Sequence, residues 1–331
     1  MACIDWPNIH HRERCMPLES DFKHDDIHIL VVDGASAKAE SLTKSLREAG
    51  FKKPNILVAP SFDVAVSTVE KEKIHVALIN YDLASRTGFE LMEELARMGN
   101  PLPVIMTAEK KDSKIDSGAM DRGAYDYLIH SEIDPELLER TIRYTVIRRK
   151  LEDQLVHAAL YDELSGLPNR RAFFDRLKQG LFRADRHKQE LSIVYIDLNG
   201  FKAVNDTHGH QAGDEVIREI GERLQICLRR TDTPARLGGD EFACILEDFR
   251  DREAALAVID KIVNIFAEPI PYEGVDHQIG GSLGVSFYPE NATEADLLIQ
   301  LADESMYQAK VKSRRTGKPE VIIATPEEKT A

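Results

Sequence analysis

The stretch RLGGDEFACIL, residues 236–246, decides how the second half of this chain is interpreted. Two glycines stand between two short apolar runs, which predicts two strands joined by a tight turn. Gly238 and Gly239 permit backbone angles that a β-carbon forbids, and they let a bulky ligand approach the main chain closely. A tight turn explains the glycines, but it does not explain the two carboxylates that follow, Asp240 and Glu241. The stretch therefore predicts a hairpin whose turn carries a functional group.

A third carboxylate, Asp197, ends the apolar run SIVYID at residues 192–197. An acid without a partner at the end of a buried strand is costly. If this strand neighbours the hairpin, Asp197 and Asp240 converge on one edge of a sheet. Converging carboxylates, with Glu241 beside them and backbone carbonyls available, form a hard oxygen site suited to Mg²⁺, and nucleotide phosphates can complete the coordination. The pattern alone predicts a metal-dependent site for phosphoryl transfer.

The residues around the hairpin have an α/β pattern in which helical periodicity alternates with β-branched runs. Helices are predicted to begin at residue 162 and to cover 212–230, 252–267 and 295–313. Further strands are predicted over 191–201 and 278–289. Because the segment contains a hairpin, its sheet is not all-parallel.

The first half of the chain has a different pattern, in which five apolar runs alternate with amphipathic helices over residues 26–145. The runs are IHILVVDG at 27–34, NILVAP at 55–60, HVALINYD at 75–82, LPVIMTA at 102–108 and GAYDYLI at 123–129. Continuous β-branched runs of this kind predict a parallel sheet covered on both faces, that is, a doubly wound domain. Residues 1–25 and 326–331 are predicted to be tails, the first of them disordered.

A long helix is predicted between the two domains, over residues 137–161, because no Gly or Pro interrupts the chain from Pro135 to Gly166. Alternating spacings of three and four define a short seam suited to pairing with a second copy of the helix. The seam consists of Tyr144, Ile147, Leu151, Gln154, Ala158 and Tyr161. Basic residues at 148–150 leave it only partly apolar, so a single amphipathic linker helix resting on one domain is the alternative.

Composition limits the function classes. The chain has 331 residues, enough for about two domains, and a formal net charge of −14 without a basic, aromatic stripe, which argues against binding to DNA or RNA. It has no apolar run of about eighteen residues and no signal-peptide pattern, so we expect no membrane span and a cytoplasmic location. The cysteines lack C-x-x-C spacing, which argues against a disulfide framework or a zinc site. They are Cys3, Cys15, Cys227 and Cys244.

Several motifs occur in order between residues 157 and 325. They are DELSGLPNR at 162–170, YIDLNGFKAVNDTHGHQAGDEVI at 195–217, RLGGDEF at 236–242, GVSFYP at 284–289 and ADESMYQAK at 302–310. With this set the segment resembles the GGDEF family of diguanylate cyclases, which condense two GTP into cyclic di-GMP and release two pyrophosphates. The resemblance implies an α/β domain with a sheet like that of cyclases and polymerase palms.

The resemblance also implies roles for individual residues. The family's ligands for Mg²⁺ or Mn²⁺ fall on Asp197, the carbonyl of Leu198 and Asp240. Glu241 is implied to support the same centre, and Asp240 is the best candidate to take the proton of the attacking hydroxyl. The positions that contact the nucleoside are Asn205 and Asp214, which read the guanine edge, and His210. The positions that hold phosphate or steady its charge are Lys202, Lys310 and Arg314.

Two regulatory features follow from the same resemblance. A domain of this family holds one GTP, so two domains must face each other across a two-fold axis, and the receiver-like domain and linker helix are expected to form the homodimer. Arg229 and Asp232 match the R-x-x-D site at which the product, cyclic di-GMP, inhibits the enzyme. An idle, solvated ion pair is the alternative for these two residues.

Residues 26–145 resemble the receiver domain of response regulators, with a degenerate phosphorylation site. Where receivers carry two acids after the first strand, this chain has Asp33 and Gly34. Asn80 stands at the phosphoacceptor position, His130 at the position of the usual lysine, and Thr107 keeps the hydroxyl position.

An asparagine amide cannot form an acyl phosphate, and the loss of two acids weakens any Mg²⁺ site. Asp82, two residues beyond Asn80, could accept phosphate only if its loop shifted. The resemblance therefore implies a pseudo-receiver, kept for dimerisation, partner binding or a signal other than phosphorylation.

Three other functions remain open. The second domain could be a catalytically silent module that binds cyclic di-GMP or GTP through Arg229 and Asp232, although its site acids are present. A cyclase that makes a mixed dinucleotide is expected to alter Asp214, which is unchanged. A pure scaffold is the last alternative. No EAL-type region follows residue 325, so hydrolysis of cyclic di-GMP by this chain is not expected.

Overall fold

A computed structural model describes residues 22–99 and 102–325. The chain divides between Gln154 and Leu155 into two compact units. The predicted tail at 326–331 and most of the one at 1–25 lie outside the described residues, as do Cys3 and Cys15.

The first unit has a parallel five-stranded sheet in the order β2-β1-β3-β4-β5. Its strands are β1 (Ile29–Val32), β2 (Ile56–Ala59), β3 (Val76–Asn80), β4 (Val104–Ala108) and β5 (Asp126–Ile129). Its helices are α1 (Ser36–Glu48), α2 (Phe62–Lys71), α3 (Gly88–Arg97), α4 (Ser113–Asp121) and α5 (Pro135–Leu160). Every residue of β1, β3 and β4 is buried, because apolar clusters cover both faces of the sheet. The predicted doubly wound fold is confirmed.

The tail predicted over residues 1–25 extends too far along the chain. Phe22 packs against the core on one face of the sheet, and residues His24–Asp26 form a turn of 3₁₀ helix. The ring of His24 contacts both Phe22 and Phe51. Residues 22–25 therefore belong to the folded unit, because Phe22 and His24 are partly buried although the sequence has no periodicity.

The linker helix predicted over 137–161 corresponds to α5, which begins two residues earlier and ends one residue earlier. Leu138 and Ile142 are fully buried, whereas further along the helix Tyr144 is 58% exposed and Leu155 is 71% exposed. Tyr125 directly precedes β5, and its hydroxyl donates a hydrogen bond to Glu152 on α5. This bond anchors a part of α5 that lies beyond the residues buried in the core of the first unit. Pairing of this helix with a second copy stays a prediction.

The second unit has a mixed five-stranded sheet in the order β12-β11-β6-β8-β7. Its strands are β6 (Leu191–Asn199), β7 (Thr233–Gly238), β8 (Glu241–Leu246), β11 (Gly280–Tyr288) and β12 (Glu320–Ile323), and β9 (Ile270–Tyr272) and β10 (Val275–His277) form a separate hairpin. Only β11 and β12 are parallel neighbours. The predicted α/β domain with a hairpin is confirmed.

Helices cover both faces of this second sheet. They are α6 (Arg170–His187), α7 (Phe201–His208), α8 (His210–Cys227), α9 (Arg252–Asn264) and α10 (Ala295–Thr316). Side chains of α8 and α9 fill the core on one face, and those of α6 and α10 fill it on the other. Because β6 is central, eight of its nine residues are buried, which explains the continuous apolar run.

Among the described residues, no helix is long and apolar enough to cross a membrane. Cys227 and Cys244 are free thiols, and Cys244 is fully buried in the core of the second unit.

Candidate functional site

The turn between β7 and β8 brings the predicted acids to one edge of the sheet. Gly238 and Gly239 have φ angles of +147° and +52°, a region that favours glycine, so the turn depends on both residues. The register of β6 and β8 pairs Asp197 with Glu241. In addition, the backbone amide of Leu198 donates to the carbonyl oxygen of Asp240 over 3.2 Å. The end of β6 and the glycine turn are thus held together by main-chain bonds.

Asp197 is the most buried acid of this edge, with 5% of its surface exposed. Its Oδ2 accepts a hydrogen bond of 2.7 Å from Nζ of Lys310 on α10, whereas its Oδ1 is buried and has no hydrogen-bond partner. Burial raises the pKa of Asp197, the neighbouring charge of Asp240 raises it further, and Lys310 opposes both effects. An orphaned carboxylate oxygen beside a second carboxylate is a position that a cation would satisfy.

Glu241 points to the face of the sheet covered by α6 and α10. Its Oε2 accepts a hydrogen bond of 3.1 Å from the hydroxyl of Tyr195, which is itself buried. Burial and the charge of Glu241 raise the pKa of Tyr195, so this phenol stays protonated. Sequence reasoning gave Tyr195 no role.

Two cavities share Lys310 and Arg314 in their linings. We call the first, of about 600 Å³, the acidic cavity; it is lined by Asp197, Glu241, Asp303, Glu304, Tyr307 and Lys310 among others. We call the second, of about 570 Å³, the basic cavity; it is lined by Leu198, Lys202, Asp240, Lys310, Arg314 and Lys318 among others. Among the described residues that line the basic cavity, four are cationic and only Asp240 is acidic. The second cavity therefore suits an anion.

The basic cavity also receives the start of α7. Gly200 adopts a φ of +89° and begins this helix, and Gly200 and Lys202 both line the cavity. Unpaired backbone amides and the helix dipole make a helix N-terminus favourable for anions. The cavity therefore brings together the three cations predicted to hold phosphate, Lys202, Lys310 and Arg314. Lys318 is a fourth cation in its lining, and the sequence did not predict it.

The residues predicted to contact the nucleoside lie on α7 and α8, and neither cavity includes them. His210 and Asp214 are exposed near the start of α8, whereas Asn205 on α7 has a buried Oδ1 without a hydrogen-bond partner. A β-carbon on Gly213 would stand 1.9 Å from that oxygen. The glycine therefore allows Asn205 its position between the two helices.

Asp232 of the R-x-x-D pair holds backbone atoms. It is 8% exposed, and its two carboxylate oxygens accept hydrogen bonds from the amides of Arg229 (3.0 Å) and Glu247 (3.3 Å). Burial raises the pKa of Asp232, and these two bonds oppose the rise. Asp232 therefore stabilises the turn before β7, and Arg229 is exposed beside it.

Arg236 connects two of the sequence motifs, a role that spacing did not reveal. Its guanidinium donates to the carboxylate of Asp162 over 2.9 and 3.1 Å and to the carbonyl of Gly239 over 3.0 and 2.8 Å. Burial would raise the pKa of Asp162, but hydrogen bonds from Ser165 and Arg236 outweigh it, and the pKa lies below its ordinary value. The motif at 162–170 thereby braces the glycine turn.

In the first unit, the four degenerate receiver positions meet at the carboxyl edge of the parallel sheet. Asp33 is 1% exposed, and its Oδ2 accepts a hydrogen bond of 3.1 Å from Nδ2 of Asn80. Nε2 of His130 lies 3.6 Å from the same oxygen, and burial lowers the pKa of His130 against the opposing charge of Asp33. The hydroxyl of Thr107 is buried without a hydrogen-bond partner.

Asp82 is turned toward its own loop. It is exposed, its Oδ1 accepts a hydrogen bond of 3.1 Å from the amide of Ala84, and its backbone pairs with Thr87. Its amide contacts Oδ1 of Asn80 over 3.4 Å. The carboxylate of Asp82 thus caps the loop.

Among the described residues, no three His, Cys, Asp or Glu side chains gather as a metal site. A cation at Asp197 and Asp240 would therefore need further oxygens from the backbone or from phosphates.

The comparisons with known proteins agree with this division of the chain. Residues 159–316 match the family model for the diguanylate cyclase GGDEF domain, and residues 29–143 match that for the response regulator receiver domain. The response regulator PleD of Caulobacter vibrioides is 28% identical over 299 residues, which cover 86% of this chain and 64% of PleD.

Two further matches concern the second unit. The diguanylate cyclase TpbB of Pseudomonas aeruginosa is 38% identical over 169 residues, covering 50% of this chain and 39% of TpbB. A solved structure of the GGDEF domain of TpbB is 37% identical, with a TM-score of 0.47, and the match covers 50% of this chain and 94% of that domain. The chain spans 21% to 39% of the first curated relatives it matches. Its second unit belongs to the GGDEF diguanylate cyclase family, and its first is a response regulator receiver domain.

Proposed function

We propose that this protein is a cytoplasmic diguanylate cyclase that condenses two GTP into cyclic di-GMP and two pyrophosphates as a homodimer. The observation that supports it best is the juxtaposition of Asp197 and Asp240 beside a cavity lined by four cations. This arrangement suits a nucleoside triphosphate, whose phosphates are anionic and whose α-phosphate must be attacked next to a charge-stabilising centre.

The donor set at the sheet edge fits Mg²⁺ or Mn²⁺. Oδ1 of Asp197, the carboxylate of Asp240 and the carbonyl of Leu198 would hold the cation, and the buried, orphaned Oδ1 is the observation that favours it. When bound, such a cation would neutralise charge on the phosphates and lower the pKa of an attacking hydroxyl. Glu241 would support the same centre from the acidic cavity.

The basic cavity would receive the triphosphate. Lys310 has three donors, so it can bond Asp197 and still contact a phosphate. Lys202 and Arg314 line the same space, and the first amides of α7 add partial positive charge. These groups would position the leaving pyrophosphate and stabilise its charge, which is where most of the rate gain of phosphoryl transfer arises.

Asn205, Asp214 and His210 would contact the nucleoside. The buried Oδ1 of Asn205 has no hydrogen-bond partner, so it would accept from the guanine amino or imino group, and the carboxylate of Asp214 would accept in the same way. An acceptor pair of this kind discriminates against adenine, which carries no donor at the same edge positions, so we propose GTP as the substrate.

The reaction needs two copies of the domain, because each holds one GTP and the 3′-hydroxyl of one must attack the α-phosphate of the other in line. Asp240 is the proposed base for that hydroxyl. We propose that the linker helices pair through the exposed apolar residues of α5, which are Tyr144, Leu151 and Leu155. The receiver-like domains would contribute to the same dimer.

Product inhibition through Arg229 and Asp232 is part of the proposal. The exposed Arg229 is available to an anionic dinucleotide, and the buried Asp232 fixes the turn that presents it. A silent module that only binds nucleotides is the second candidate, and turnover separates the two functions.

We expect the full chain, incubated with GTP and Mg²⁺, to release two pyrophosphates for each cyclic di-GMP formed, because each GTP loses one pyrophosphate. Nucleotide chromatography and a coupled pyrophosphate assay would measure both products, with ATP and with EDTA as controls. The rate per protomer should fall on dilution as the dimer dissociates. No cyclic dinucleotide at micromolar protein would contradict the cyclase function and favour the silent module.

We also propose that the receiver domain is not phosphorylated. Asn80 offers an amide at the phosphoacceptor position, and the carboxylate of Asp82 caps its own loop. After incubation with acetyl phosphate and Mg²⁺, intact-mass spectrometry should find the chain unmodified. A phosphoryl group mapped to Asp82 by peptide mass spectrometry would overturn this proposal.

A further inference from the structure

Tyr195 lies on β6 two residues before Asp197, so both side chains point to the same face of the sheet. Its ring is packed in the core formed by α6 and α10 and is only 6% exposed. From this buried position its hydroxyl donates a hydrogen bond of 3.1 Å to Oε2 of Glu241. A rigid, buried group is thus aimed at the carboxylate that enters the acidic cavity.

Glu241 needs such a restraint. Its neighbours in the acidic cavity include the carboxylates of Asp197, Asp303 and Glu304, which repel it, while Lys310 and Arg314 line the same cavity. A glutamate side chain also gains rotamer entropy when it is released. Of the two cations in this cavity, Lys310 donates its hydrogen bond to Asp197. The neutral hydroxyl of Tyr195 holds the carboxylate and leaves its charge intact.

We propose that Tyr195 is a positioning residue for the condensation: its hydroxyl fixes the Glu241 carboxylate in the acidic cavity, facing the approach of the second GTP. This inference rests on the proposed cyclase function. Tyr195 touches neither the reacting atoms nor the phosphates and acts through Glu241 alone.

The test is Tyr195→Phe in the full-length protein, which keeps the packed ring and removes the donor. We expect kcat to fall about tenfold, the size of effect typical for a hydrogen bond to a charged group, while KM for GTP stays within about twofold. Incorporation of p-aminophenylalanine at position 195 restores a neutral donor in the same place and should recover most of kcat.

Tyr288→Phe is the matched control. Tyr288 belongs to the same core, is 8% exposed, and its hydroxyl lies 3.5 Å from Oδ1 of Asp185, away from both cavities. It should keep wild-type kcat, and melting temperatures of both variants would reveal any loss of packing.

The inference is wrong if Tyr195→Phe keeps wild-type kcat, if the loss appears in KM instead, or if Tyr288→Phe is slowed equally. Absence of cyclic di-GMP from the wild-type protein would instead refute the proposed function, so the two failures are distinguishable.

Discussion

Asp197→Asn is expected to lower the rate of cyclic di-GMP formation by about a thousandfold while the protein stays folded. The substitution replaces a charged oxygen at the sheet edge with an amide of the same shape. It removes the proposed cation ligand and the charged acceptor of the Lys310 ammonium. The proposed cation site therefore loses a negative charge, and Lys310 loses the hydrogen bond that positions it.

The thermal stability of the Asp197→Asn variant, unlike its activity, should not decrease. Because burial raises the pKa of Asp197, its ionised form is less favourable in the folded protein than in the unfolded chain, and this cost is present at neutral pH. A neutral asparagine removes that cost, so the melting temperature should be unchanged or higher. Activity loss without destabilisation is typical of a residue kept for function.

Asp185→Asn is the matched control, since Asp185 lies on α6 and its side chain is 70% exposed. It should leave both turnover and melting temperature unchanged. Substantial turnover by Asp197→Asn, or an equal loss in the control, would contradict the assignment of the sheet edge as the reaction centre.

Gly284→Ala is expected to destabilise the second unit by about 3 kcal/mol or more, the upper range for overpacking a core. A β-carbon on Gly284 would stand 1.9 Å from the carbonyl oxygen of Ala302 and 2.2 Å from the amide nitrogen of Met306. Both are backbone atoms of α10, which packs directly on β11. Neither can rotate away as a side chain could, so the helix must move.

Activity should be lost together with stability, because α10 carries Lys310 and Arg314 into the two cavities. Calorimetry of the full chain would measure the effect as a lower melting temperature of one transition. Gly34→Ala is the control: its β-carbon would meet nothing closer than 3.8 Å, and the melting temperature should be unchanged or slightly higher. A wild-type melting temperature for Gly284→Ala would contradict the close packing of α10 on β11.

The sequence predicted which segments form strands, helices and turns, because these depend on the pattern of neighbouring residues. Continuous β-branched runs indicated the buried parallel strands, and paired glycines indicated the β7–β8 turn, whose φ angles only glycine adopts easily. The failure at residues 22–25 has a local cause too. Phe22 and His24 are partly buried by contacts with Phe51, and a short segment without periodicity gives no sign of such contacts.

The site was predicted in part. Asp197 and Asp240 were expected at one edge because strand ends and turns carry their acids to the rim of a sheet. The partners of those acids were not predicted. The family resemblance implied that Lys310 contacts phosphate, but it did not show that its ammonium binds Asp197, 113 residues away. The roles of Tyr195, Arg236 and Lys318 were missed for the same reason.

The amino-acid order alone determined which chemical groups exist and which local conformations they favour. It determined the acids of the glycine turn, the asparagine at position 80, and the alternation of strands with helices. The tertiary structure decided which groups face one another: Tyr195 with Glu241, Arg236 with Asp162, and Asn80 with Asp33. Residue periodicity fixes the face on which a side chain stands, but only long-range packing decides which element covers that face.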